Sequence, residues 1–144
     1  MVKYEFFDKT ADAKFKAYGY TLEEVFGNAL EAMTSIMFKI EDIENYEFDM
    51  EKREISVEGT NLETLLYNFL EEGIFLLSAE SFIGLVEKIG IKQLDEGYQL
   101  KAILKGTQSL NFESTGEVKA VTYNEMHVKQ NPSGLWECQV VVDL

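Results

Sequence analysis

Two aspartates, one near each end of the chain, are the side chains most suited to chemistry in this sequence. Asp12 lies at the entry of an extended segment, and Asp143 follows three consecutive valines, one residue before Leu144. If the last strand lies beside the first segment, both aspartates and the terminal carboxylate of Leu144 offer three anionic groups to one cation. Hard ions such as Ca²⁺ and Mg²⁺ take all-oxygen ligand sets of this kind. The spacing equally permits two solvated strand ends, because proximity between residues so distant in sequence cannot be read from the chain.

Other chemistry has little support in the sequence. It contains no Walker loop, HExxH zinc helix, paired CxxC or GxSxG elbow, which removes the commonest signatures of nucleotide, zinc and acyl-transfer chemistry. His127 is the only histidine, and Cys138 stands in a strand whose alternation turns it inward. We interpret both as structural residues, and most of the aromatic residues as core rather than as a platform for stacking bases.

Charge and composition restrict the class of protein. The chain has 144 residues and a net charge of −13, with 26 acidic residues against 13 basic ones. Direct, tight RNA binding is disfavoured, because a protein that neutralises phosphates needs clustered Lys and Arg. The acidic surface suits a basic protein partner or hard cations, although it also serves solubility. A single cysteine, a charged N-terminal segment and the lack of long apolar runs predict a cytoplasmic protein without a membrane span.

Two amphipathic helices are predicted. The first runs from Leu22 to about Phe38, where Thr21 and Glu24 match a capping box. The second begins after Thr60, which with Glu63 repeats that signature, and its apolar positions recur at helical spacing. No linker, repeat or low-complexity tract interrupts the chain, so we expect one domain over residues 1–144.

The rest of the chain is predicted to form strands. They cover residues 4–7, 13–17, 82–91, 98–105, 118–129 and 135–142, with a strand or strand pair within 45–58. Turns at 95–97 and 131–134 separate the later strands, and the last two form a hairpin. The sequence therefore predicts an α+β fold with two amphipathic helices packed on a mostly antiparallel sheet.

Four segments together resemble the archease family over nearly the whole chain. They are YEFFDKTAD at 4–12, LLYNFLEE at 65–72, GEVKAVTY at 116–123 and VVVDL at 140–144. The first is similar to the family's aromatic-Asp-His-Thr-Ala-Asp opening, and the last to its Val-Asp-aliphatic end. In the second segment, Glu72 stands where the family has a glutamate. Each segment alone is a weak match, whereas their order and spacing are specific.

The resemblance implies a role as well as a site. The family consists of non-catalytic proteins that promote guanylylation and multiple turnover of an RtcB-type RNA ligase in tRNA splicing. It places a divalent metal ion, Ca²⁺ in our expectation with Mg²⁺ or Mn²⁺ as alternatives, on Asp12, Asp143 and the carboxylate of Leu144. The alternatives are a metal-dependent phosphoesterase holding Mg²⁺ on the two aspartates, and a general acidic chaperone or modulator of RNA-modifying enzymes.

Two departures from the family pattern limit what the resemblance implies. Lys9 stands where the pattern has a histidine, and Asn124 stands where a histidine often follows. A role for those imidazoles in ligand binding or partner contact therefore does not carry over to this chain.

Overall fold

The computed structural model describes residues 1–7 and 12–144. Within them lie seven strands and three α-helices, in the order β1 (Tyr4–Phe7), β2 (Asp12–Gly19), α1 (Leu22–Met37), α2 (Ile40–Asn45), β3 (Glu51–Gly59), α3 (Leu62–Glu80), β4 (Phe82–Gln93), β5 (Tyr98–Gln108), β6 (Ala120–Gln130) and β7 (Trp136–Asp143), with a 3₁₀ turn at Ser109–Asn111. No helix in this part of the chain is long and apolar enough to cross a membrane.

The strands form two antiparallel sheets with the two long helices between them. One sheet has the order β1-β2-β7-β6 and the other β3-β5-β4. Helix α1 packs on β2, β7 and β4, while α3 packs on β6 and on all three strands of the smaller sheet. The predicted α+β class, the two helices and the final hairpin are confirmed. The division into two sheets and the short helix α2 were not predicted.

The helix starts show how local sequence fixes the elements. Thr21 Oγ1 accepts from the Glu24 N–H at 3.1 Å, as the capping box predicts. For α3 the predicted cap was wrong by one residue: Asn61 Oδ1, not Thr60, accepts from the Thr64 N–H at 2.8 Å. An asparagine at the N-cap position serves as well as a threonine, so the helix begins where the first apolar residue, Leu62, can reach the core.

Strands β2 and β7 place alternate side chains on the core face and on the outer face of the larger sheet, although Val141 on the outer face is also fully buried. Phe15 and Ala17 of β2 lie opposite Val140 and Cys138 of β7, and all four are fully buried against the helices. The residues between them therefore point outward, because side chains alternate along a strand. The ends of these two central strands carry the aspartates singled out in the sequence.

Candidate metal centre

Asp12 and Asp143 lie directly opposite each other. Asp12 is the first residue of β2 and Asp143 the last of β7, and the antiparallel register makes them partners. On its other side Asp143 is the register partner of Ala120 in β6, and its carbonyl accepts from the Lys119 N–H at 2.8 Å. The backbone of Asp143 is thus held between two neighbouring strands.

Both aspartate side chains belong to the outer face of the sheet. Val142, which precedes Asp143, is fully buried, so alternation turns Asp143 outward, and it is exposed. Asp12 shares the outer face with Lys14, two residues further along β2, and is half-buried. Directly opposed residues have Cβ atoms about 4.5–5.5 Å apart. The sheet thus presents two carboxylates side by side, with the end of the chain one residue away.

The electrostatics of this pair favour a cation. Like charges directly opposite each other destabilise a strand pair, and neither aspartate forms an ion pair with another residue in the described ranges. Lys14, on the same face, pairs with Glu125 at 3.2 Å instead. A divalent ion between the two carboxylates would convert this repulsion into attraction.

The described side chains do not identify a third ligand for the cation. Residues 1–7 and 12–144 contain no group of three His, Cys, Asp or Glu side chains able to hold a metal. The third oxygen donor predicted from the sequence, the terminal carboxylate of Leu144 directly after Asp143, stays a prediction. Two aspartates and a terminal carboxylate form an all-oxygen set that fits a hard cation.

The histidine and the cysteine are engaged elsewhere. His127 Nε2 lies 2.7 Å from a carboxylate oxygen of Glu137 on the outer face. Cys138 is fully buried, and burial raises the pKa of its thiol to about 12. A fully buried thiol is also out of reach of a cation at the exposed end of the sheet. The interpretation of Cys138 as a core residue is confirmed.

The two positions that depart from the family pattern differ in what is known of them. Lys9 lies outside the described residues. Asn124 is exposed in an irregular stretch of β6 between Thr122 and His127, where the register with β7 shifts. Its N–H donates to Thr122 Oγ1 at 3.2 Å. This contact uses the backbone N–H, so any residue except proline could make it at this position.

Sequence reasoning missed the exposed apolar residues near the end of α1. Residues 45–58 were predicted to be polar and then to form a strand or strand pair, with no exposed apolar side chain singled out. In the structure Phe48 is exposed in this segment, and Leu110 is exposed in the 3₁₀ turn. A signal was present in the sequence: residues 40–50 carry five acidic residues, no basic residue and two aromatic rings. That composition is unusual for a strand entering a core.

Comparison with known proteins gives a consistent result. A family model described as the Archease protein family (MTH1598/TM1083) matches residues 4–144. The chain is similar to "Protein archease" of Pyrococcus abyssi, with 35% identity over 146 residues, and to that of Thermococcus kodakarensis, with 38% over 147, each covering 100% of both chains. The solution structure of Methanobacterium thermoautotrophicum Protein 1598 matches with a TM-score of 0.83 and 35% identity, covering 99% of each chain.

Proposed function

Because the chain belongs to the archease family, we propose that it is a cytoplasmic, non-catalytic protein that activates an RtcB-type RNA ligase in tRNA splicing. It does so by promoting guanylylation of the ligase and repeated turnover. The observation that carries the proposal is the juxtaposition of Asp12 and Asp143 across β2 and β7, one residue from the terminal carboxylate.

The metal site belongs to the same proposal. Asp12, Asp143 and the terminal carboxylate of Leu144 would hold one divalent cation, with Ca²⁺ as our first choice and Mg²⁺ or Mn²⁺ as alternatives. When bound, the ion supplies a hard positive centre that neutralises these carboxylates and accepts oxygen ligands from a partner. The strands fix the two aspartates, so the protein's own contribution is to hold oxygen donors at an exposed end of the sheet.

Activation of this kind is a shift between two states of the ligase. An activator changes such an equilibrium only by binding one state more tightly than the other. A rigid acidic end that docks at the rim of the ligase active site would favour the state that accepts nucleotide and metal. No residue of the activator then needs to take part in bond making, which agrees with the sparse catalytic inventory of the sequence.

A guanylylation assay with the cognate RtcB-type ligase, GTP and divalent metal tests the proposal. The protein should raise the guanylylation rate and convert a stalled reaction into multiple turnovers, and it should ligate no RNA alone. Asp143→Ala should lower the maximal rate at least tenfold, since it removes one of three charged ligands. Asp95→Ala, an exposed aspartate in the β4–β5 turn at the opposite end, is the matched control. Unchanged ligase kinetics at saturating protein would rule out the proposed function.

A further inference from the structure

A row of aromatic rings leads from the core to the surface beside helix α2. The ring of Phe38, buried at the end of α1, lies 6.3 Å from that of Phe112. Phe112 lies 5.3 Å from Tyr46, and Tyr46 lies 6.0 Å from Phe48, each pair edge to face. Phe48 is 73% exposed and nearby Leu110 is 90% exposed. We call Tyr46, Phe48, Leu110 and Phe112 the aromatic patch.

The two segments that carry the aromatic patch are tied together by polar contacts. The side chain of buried Thr107 donates from Oγ1 to the Asp49 carbonyl at 3.1 Å. The same Oγ1 accepts from Asn111 Nδ2 at 3.1 Å. Asp49 adopts a left-handed backbone conformation, with φ of 46°, which turns the chain directly after Phe48. The exposed apolar side chains are therefore held on a fixed frame.

The surroundings of the aromatic patch are strongly acidic. Five exposed acidic residues lie between 40 and 50, and no basic residue accompanies them; they are Glu41, Asp42, Glu44, Glu47 and Asp49. None of the five forms an ion pair with a residue in the ranges that the structure describes. Lys105 lines a groove together with Glu44 and Glu47, so this rim is mostly but not wholly acidic. Exposed apolar side chains rimmed by polar residues are typical of a protein-binding surface.

The aromatic patch lies at the same end of the molecule as the paired aspartates. Helix α1 follows β2 and runs back along it, so the end of α1 returns to the level of Asp12. The segment after Phe112 is fixed at both ends of its path: the Thr115 N–H donates to the Met37 carbonyl and the Lys119 N–H to that of Asp143, each at 2.8 Å. One partner surface laid over this end would meet both features.

We propose that the aromatic patch is the docking surface for the ligase named above, whose complementary face would carry an apolar pocket ringed by Lys and Arg. The inference rests on the proposed function and assigns it a contact surface separate from the metal site. The acidic rim opposes the phosphates of RNA, which bring negative charge. A protein surface with an apolar pocket ringed by Lys and Arg complements both the acidic rim and the exposed rings.

The test separates docking from activation with one assay, in which guanylylation is measured as a function of activator concentration. The double variant Phe48→Ser, Leu110→Ser changes two exposed side chains, so the fold should persist, as urea unfolding would verify. A few central apolar anchors carry most of the affinity of a protein interface. The concentration for half-maximal activation should therefore rise at least tenfold, while the maximal rate is unchanged. Tyr20→Ala, which removes a 68% exposed ring at the opposite end, should change neither quantity.

The outcomes distinguish the two proposals. If the wild-type protein activates the ligase and the double variant activates it at the same concentrations, the aromatic patch is not the docking surface, and the proposed function stands. If the wild-type protein fails to activate the ligase, the proposed function is wrong and the docking surface fails with it. A double variant with an unchanged half-activating concentration but a lowered maximal rate would also contradict a docking role.

Discussion

Single residues decide whether the end of the larger sheet is a site. Asp12 and Asp143 are opposed in register at the ends of β2 and β7, and like charges directly opposite each other destabilise a strand pair. A cation bound between the two carboxylates would offset that repulsion. Metal binding should therefore depend on each aspartate separately and on where the chain ends.

Calorimetric titration with Ca²⁺ and Mg²⁺ tests this dependence. Asp12→Ala and Asp143→Ala should each abolish or greatly weaken binding, because affinity follows the number of charged ligands. A few residues appended after Leu144 should also weaken it, since the terminal carboxylate moves away while both aspartates stay. In the absence of metal, replacing the exposed Asp143 should change the free energy of unfolding by about 0.5 kcal/mol or less.

Asp95→Ala serves as the control in the same titration, since it removes an exposed aspartate at the other end of the molecule. Wild-type affinity in Asp12→Ala, in Asp143→Ala and in the chain extended after Leu144 would show that the two aspartates and the terminal carboxylate share no metal site. Asp12 and Asp143 would then be solvated strand ends.

At this scale the sequence identified the residues but not their neighbours. The odd position of Asp143 after three valines was visible, whereas its register with Asp12 depends on 130 residues of intervening chain folding back. Phe48 was missed for the opposite reason. The acidic composition of residues 40–50 hinted that Phe48 is exposed, but its position depends on the Thr107–Asp49 contact between distant segments, which the local sequence does not show.

At the scale of elements, helix α3 covers the open edge of strand β6. Glu71 accepts from the Val121 N–H at 2.8 Å, and Glu63, two turns earlier, accepts from the Val128 N–H at 3.2 Å. Between them Tyr67 stacks on Tyr123, with 4.3 Å between ring centroids. β6 is the edge strand of its sheet, and exposed edge N–H groups invite pairing with other chains. This stripe of α3 therefore protects the strand next to Asp143.

Replacing Glu71 tests that protection. Glu71→Ala leaves the Val121 N–H without its charged acceptor, so the free energy of unfolding should fall by about 1–2 kcal/mol. Glu72→Ala removes a carboxylate one position along the helix that accepts no hydrogen bond from the described residues, and it should change stability by about 0.5 kcal/mol or less. Urea unfolding measures both. Equal losses of unfolding free energy in the two variants would show that the Glu71 carboxylate acts through its charge on the helix. Its hydrogen bond to the Val121 N–H would then contribute little.

The elements were predicted where their signals are local. The periodicity and capping box of α1 placed its ends within one residue, and the turn at 131–134 gave the β6–β7 hairpin. The role of Glu63 was misassigned, because its carboxylate bonds to β6 rather than back to the start of α3. The capping signature and the edge contact need the same residue type, so the sequence alone cannot separate them.

Over the whole molecule, charge is unevenly distributed. Five of the thirteen basic residues, Lys52, Lys88, Lys92, Lys101 and Lys105, are exposed on the strands of the smaller sheet. The segment 40–50, beside the aromatic patch, has only acidic charges, and the paired aspartates add two more at the same end. Lys105 lines the same groove as Glu44 and Glu47, but the acidic residues of segment 40–50 outnumber it, so a partner approaching that end meets a net negative field. The field should guide the encounter, while the apolar contacts hold the complex.

Stopped-flow association with the ligase at several salt concentrations measures that steering. The Debye length falls from about 10 Å at 0.1 M salt to about 3 Å at 1 M, so the association rate of the wild-type protein should fall roughly tenfold or more over this range.

Glu44→Gln with Glu47→Gln removes two charges beside the aromatic patch and should reduce both the rate at low salt and its dependence on salt. Asp95→Asn with Glu96→Gln removes two exposed charges from the β4–β5 turn at the opposite end and should leave the salt dependence almost unchanged. An association rate independent of salt would mean that the acidic surface serves solubility and that apolar contacts alone direct docking. Equal effects of the two double variants would mean that the net charge matters and its position does not.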